Sequence, residues 1–172
     1  MNRDWFGDSY DIVKRFFVGE LRSLGYVVYV DPMPSGEWES VEPAFLEFLG
    51  ALHVRDAQPS GQSALLLDPD TGISDRRSLA HASTERIARH LDQHEIVFAF
   101  DQSISRGAAP LPQLQAKLLQ LSEHGAHGFY YDSHARFLFS SLSAHKLSAV
   151  REALLKAGLP AHRLVALERH AG

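Results

Sequence analysis

Four apolar runs in this sequence end in aspartate. Tyr26–Val30 is followed by Asp31, Ala64–Leu67 by Asp68 and Asp70, Ile96–Phe100 by Asp101, and Gly128–Tyr131 by Asp132. If these runs are strands of one mainly parallel sheet, the carboxylates gather at its carboxyl edge, where open α/β sheets bind ligands. Clustered carboxylates repel, which raises their pKa values. A hard cation such as Mg²⁺ or Mn²⁺ relieves that repulsion through oxygen ligands and retained waters. Such a metal activates water and neutralises a phosphoryl group. Asp68, Asp70 and Asp101 are therefore the candidate metal ligands and catalytic groups, and a metal-assisted hydrolase of a phosphoester or nucleic acid is the leading expectation. The plainer reading is turn chemistry. Asp-Pro and Asp-Pro-Asp-Thr-Gly shape turns by local backbone bonds and a glycine at positive φ.

Other residue types could serve the same edge. His134 can act as an acid or base at neutral pH. It belongs to Asp132-Ser133-His134, which holds the residue types of a hydrolase triad. Side chains of adjacent residues point apart, so the three cannot form a relay among themselves. The Phe6-Gly7-Asp8-Ser9 turn offers backbone and Ser9 hydroxyl donors to an anion. Arg106 and Arg136 are the candidate substrate clamps, with Lys14 and Arg15 behind them. Tyr10, Tyr130 and Tyr131 carry rings able to stack on a base, although aromatic strand residues usually pack in a core.

These residues need elements to position them. Asp8 followed by Asp11 reads as a helix start with a capping box. Ile12, Val13, Phe16, Phe17, Leu21 and Leu24 then fall at helical spacing, and the face of Ile12, Phe16 and Leu24 is expected to be buried. Gly25 stops that helix. Phe45, Leu46, Leu49 and Leu52 mark a short second helix. Ser83 caps a third, carrying Ile87 and Leu91, and Leu114, Leu118, Leu119 and Leu121 mark a fourth. Leu147, Val150, Leu154 and Leu155 form the last. One helix separates Ala64–Leu67 from Ile96–Phe100, so these are expected to be neighbouring parallel strands. Gly128–Tyr131 and Phe137–Ser140 flank a short turn and read as a late β-hairpin. Leu164–Leu167 adds a final strand.

Composition narrows the classes. The 172 residues are 45% hydrophobic and 22% charged, which suits one globular domain over residues 1–172. A net charge of −4 and a pI near 6.2 exclude a strongly basic nucleic-acid footprint. With no cysteine, thiolate metal sites, disulfides and cysteine nucleophiles are excluded. The ten histidines are scattered, without HExxH or HxH spacing. Met1-Asn2-Arg3-Asp4-Trp5 lacks the apolar core of a secretory signal, and no apolar run approaches a membrane span. A cytoplasmic location without membrane association is the expectation.

Two resemblances add to this reading. The run Trp5-Phe6-Gly7-Asp8-Ser9-Tyr10-Asp11-Ile12-Val13-Lys14-Arg15 resembles the opening of an uncharacterised bacterial protein family. The likeness continues through Leu67–Gly72, Phe100–Ser103 and Tyr131–Phe137. It implies a bacterial origin and supplies no activity. Ala64 to Leu142 is also similar to the second half of Rossmann-like methyltransferases, in which a strand ends in Asp-Pro and a terminal hairpin closes the sheet. Where those enzymes carry a glycine-rich loop for the methyl donor, Asp31-Pro32-Met33-Pro34-Ser35-Gly36 stands here. The expected fold is thus a layered α/β sandwich with a mainly parallel, Rossmann-like sheet. The alternatives to the hydrolase are a degenerate methyltransferase-like nucleotide-binding domain and a non-enzymatic interaction module. A phosphorylated ligand or nucleic acid is the expected partner.

Overall fold

The computed structural model describes residues 6–34, 36–57, 61–74, 81–104 and 109–167. Helix α1 (Ser9–Ser23) begins where the Asp8 side chain accepts from the N–H groups of Tyr10 and Asp11. Two of the four donors that a helix start leaves open are thereby satisfied. Asp11 Oδ2 accepts from the Gly7 N–H at 2.8 Å, so the acidic side chain reaches back one residue beyond the cap. Gly25, at φ 90°, turns the chain out of the helix.

The buried stripe of α1 is Asp11, Lys14, Phe17, Val18 and Leu21. Ile12 is 59% exposed, and Phe16 and Leu24 are only half-buried, so the inward face is rotated from the expected one. The cause is ionic. Lys14 and Asp11 head the stripe because Asp68 meets Lys14 beneath the helix.

Strand β1 (Val27–Asp31) follows, then helix α2 (Glu42–Leu49). Gly50, at φ 69°, closes α2, so Leu52 lies outside the helix, in the two-residue strand β2 (Leu52–His53). Strand β3 (Ser63–Leu67) leads to helix α3 (Thr84–His90), where Ser83 Oγ accepts from the Arg86 N–H. Next come β4 (Ile96–Phe100), α4 (Pro110–Glu123), β5 (His127–Tyr131), β6 (Phe137–Ser141), α5 (Ala144–Lys156) and β7 (Leu164–Ala166). Helices and strands alternate through most of the chain, as the α/β class requires.

All seven strands join one mixed sheet in the order β2-β1-β3-β4-β6-β5-β7. Strands β2, β1, β3 and β4 are parallel. Strand β6 pairs antiparallel with β4 and β5, and β7 antiparallel with β5. Strands β3 and β4 are neighbours and parallel, as the single intervening helix predicts.

The strand period of two divides the core. Val28, Val30, Ala64, Leu66, Ile96, Phe98 and Phe100 pack with residues of α1, α2 and α5. Tyr29, Leu65, Leu67, Val97, Ala99 and Tyr130 pack with residues of α3 and α4. Strands β1, β3 and β4 thus contribute alternate residues to two apolar clusters, and their carboxyl edge lies between them. Among the described residues, no helix is long and apolar enough to cross a membrane.

Candidate functional site

The aspartates do share one edge of the sheet, but register sends them to different faces. Leu67 is level with Asp31 on β1 and with Ala99 on β4. Asp68 is therefore level with Phe100, and Asp101 stands one residue further along. With a period of two, that single offset turns Asp68 toward the α1 face and Asp101 toward the α4 face. The partners of each carboxylate follow this division.

On the α1 face, Lys14 Nζ lies 2.8 Å from Asp68 Oδ2 and 2.9 Å from Asp11 Oδ1. All three side chains are buried. The ammonium also sits 5.7 Å from the centre of the Phe45 ring and 5.2 Å from that of Phe100. Among the described residues, two carboxylates thus share one ammonium. Burial drives the Asp68 carboxyl above its usual range despite the pull of Lys14. Burial also works to lower Lys14, but Asp68 and Asp11 outweigh it and raise the ammonium pKa. Loss of water thus sets the direction at Asp68, and the two carboxylate charges set it at Lys14.

On the α4 face, Asp101 is bonded on every side. Its Oδ1 accepts from the N–H groups of Ile73 and Ser103, both at 3.0 Å, and lies 2.7 Å from Ser103 Oγ. Its Oδ2 accepts from Lys117 Nζ at 2.6 Å and from the Tyr130 hydroxyl at 2.9 Å. Burial pushes this carboxyl up, but Lys117 and these donors win and hold it below the usual carboxylate range. The Tyr130 hydroxyl is pushed well above its ordinary value by burial and by the neighbouring Asp101 charge. Lys117 also donates to Ser103 Oγ at 2.5 Å.

This network ties two loops together. Ser103 Oγ lies 2.7 Å from the Ile73 carbonyl, which joins the turn after β4 to the Asp68–Gly72 turn after β3. Gly72, at φ 86°, makes the approach possible. A Cβ there would stand 2.5 Å from Asp101 Oδ1 and from the Gln102 nitrogen.

Beside the network opens a cleft of about 530 Å³ lined by Thr71, Ile73, Ser74, His81, Ser103, Gln113, Ala116, Lys117 and Gln120. Its described lining holds one ammonium, one imidazole, three hydroxyls and two carboxamides, and no carboxylate. Thr71 Oγ1 and His81 Nδ1 are 2.5 Å apart on one wall.

The other expected residues are dispersed. Asp70 lies half-buried in the turn after β3. Asp31 is held by Arg86 Nη2 at 2.7 Å. Ser9 is exposed at the first position of α1. His134 Nε2 is 2.7 Å from the Tyr10 hydroxyl, with the two rings stacked. Arg136 Nε donates to Asp132 Oδ1 at 2.7 Å. Arg106 lies outside the described residues.

A divalent ion would need two or three of Asp68, Asp70 and Asp101 in one coordination sphere. The ammonium of Lys14 stands against Asp68 instead, and that of Lys117 against Asp101. Among the described residues, no three His, Asp or Glu side chains gather closely enough to hold a metal. The carboxylates therefore do not fit Mg²⁺ or Mn²⁺ in this arrangement. Lys117 was not among the residues expected to matter, although it falls between Leu114 and Leu118 on the apolar stripe of its helix. A charged residue so placed signals a buried partner.

No family model, no curated protein and no solved structure matches the chain.

Proposed function

We propose that the protein binds a small phosphorylated molecule in the cleft beside Asp101, Ser103 and Lys117. The observation that carries this reading is the lining itself, a lysine ammonium held from behind by Asp101 among hydroxyl, imidazole and carboxamide groups. An oxyanion with several acceptor oxygens matches that donor set. Among the described residues, Asp101 and Ser103 engage two of the three N–H donors of Lys117, which fixes the ammonium in place. The volume suits a small ligand, and Ile73 and Ala116 give it an apolar contact. The position also suits a Rossmann-like reading of the fold, in which ligands lie beyond the carboxyl ends of parallel strands.

Metal-assisted hydrolysis of a phosphoester would require Asp68 and Asp101 to share an ion, and a lysine stands against each. The reading therefore stops at binding. A long nucleic acid is also disfavoured, because one cation in the described lining, on a chain of net charge −4, makes a weak polyanion footprint.

A thermal-shift screen of phosphate monoesters and nucleotides tests the proposal, with Ala116→Glu as the control. Ala116 is exposed, so the change leaves the core intact and adds a repelling carboxylate to the cleft. A ligand at a hundred times its Kd contributes about 2.7 kcal/mol, a rise in melting temperature of roughly 5 °C or more for a chain of this size. The rise is expected to be larger in the native protein than in the variant, which keeps its other surfaces intact. Equal shifts in both, or none in either, would remove the proposal.

A further inference from the structure

A second cationic surface lies on α3, formed by residues separate from the cleft. Arg86, Arg89, His90 and Gln93 recur at intervals of three, four and seven residues, which aligns them along one side of the helix and the turn after it. Together they line a groove of about 340 Å³. The described lining again contains no carboxylate.

Its charges are held from behind. Arg86 Nη2 is fixed by Asp31 Oδ2 at 2.7 Å, and both side chains are partly buried. This pins the planar guanidinium, whose remaining donors keep the fork geometry that suits two oxygens of one phosphate. Arg89 makes only an exposed 3.3 Å contact with Glu85, which exerts little hold in water. His90 feels burial first and then repulsion from Arg86 and Arg89, against an opposing pull from Asp31, and its pKa is lowered. The imidazole of His94 is buried nearby, with its Nδ1 3.1 Å from Ser63 Oγ.

We infer that the Arg86–Arg89–His90–Gln93 groove is a second phosphate-binding site, for the terminal phosphate of a small molecule. Arg86 and Arg89 direct guanidinium donors at the phosphate oxygens while Asp31 offsets the charge of Arg86 from behind, Gln93 supplies a neutral donor, and His90 can add a proton to the complex. A phosphodiester offers two terminal oxygens to these donors where a monoester offers three.

The experiment is a pH titration of the His90 ring resonances by NMR, assigned with His90→Gln. It is run with inorganic phosphate, with phenyl phosphate, with a short single-stranded oligonucleotide, and with sodium chloride at matched ionic strength. Phosphate and phenyl phosphate should raise the His90 pKa saturably toward its ordinary value of about 6.5, because a bound dianion favours the imidazolium. Chloride should not reproduce the effect. Arg89→Gln, an exposed change that spares the Asp31 pair, should weaken phosphate about tenfold, the loss expected for one charged hydrogen bond. Arg86→Lys should weaken it further, since an ammonium cannot form the fork. Lys117→Gln and Ala116→Glu should leave the His90 response unchanged, which separates this site from the cleft. A non-saturable shift, an equal shift with chloride, or indifference to Arg89→Gln would overturn the inference. Tighter binding of the oligonucleotide than of phenyl phosphate would overturn the assignment to a terminal phosphate.

Discussion

Asp68 and Asp101 close neighbouring parallel strands, yet each is bonded to a lysine from a helix on a different side of the sheet. Lys14 of α1 takes Asp68 at 2.8 Å, and Lys117 of α4 takes Asp101 at 2.6 Å. One residue of register separates two environments that shift these carboxyls in opposite directions. The first is buried, with two carboxylates around one lysine among the described residues. The second is neutralised and opens onto a cleft.

The sealed cluster should respond unequally to loss of its members. Lys14→Met leaves two buried carboxylates without a cation, which should cost about 3–5 kcal/mol. Asp68→Asn keeps the volume and leaves Lys14 paired with Asp11, so it should cost only about 1 kcal/mol. The asymmetry follows from the raised pKa of Asp68: ionising this carboxyl opposes folding, so its removal forfeits little at neutral pH. Adding Asp68→Asn to Lys14→Met should recover part of the loss. Urea unfolding of the three variants checks this, and equal costs for the two single changes would refute it.

Asp101 should show the opposite pH behaviour. Its folded pKa is depressed, so its contribution is present above the ordinary carboxylate value and lost as the pH falls through the folded value. Asp101→Asn should cost about 3 kcal/mol at pH 7, because Lys117 loses the carboxylate that balances its charge. That gap should close as the pH drops below about 4. Unfolding midpoints from pH 7 to pH 2 would reveal it, and a gap constant with pH would contradict the assignment.

Gly72 tests the joint between the two loops. Gly72→Ala places a methyl group against Asp101 and the Gln102 backbone at a positive φ. A loss of about 2 kcal/mol or more is expected, together with weaker ligand binding in the cleft. Full stability by thermal unfolding would show that the loops part without cost.

Asp8 is a cap and lies away from the cleft. Asp8→Ala should cost about 1 kcal/mol and leave ligand affinity in the cleft unchanged. Calorimetry and a binding titration on the same preparation separate the two effects.

Much of this arrangement is legible in the residues. The apolar runs of β1, β3 and β4, the Asp8 and Ser83 caps and the parallel β3–β4 pair all follow from period, capping and crossover rules. The rotation of α1 is legible too, because Lys14, Phe17, Val18 and Leu21 stand at positions 0, 3, 4 and 7 of one stripe. The apolar residues alone point to Ile12 and mislead, because an ion pair rather than a methyl group heads the buried face. Register was not legible. Nothing in Ala64–Leu67 or Ile96–Phe100 states which residues stand level, and that one-residue offset decides whether two carboxylates converge or diverge. The long-range pairing of Lys117 with Asp101 depends on the same offset.

Binding in the Lys117 cleft is the central claim, and its most direct measurement is an amide NMR titration with phenyl phosphate in an Arg89→Gln background, which weakens the α3 groove. The account predicts saturable shifts concentrated at Thr71, Ile73, Ser103, Ala116 and Lys117, abolished by adding Ala116→Glu. Saturable shifts elsewhere with these five unmoved, or no saturable shift at all, would contradict it.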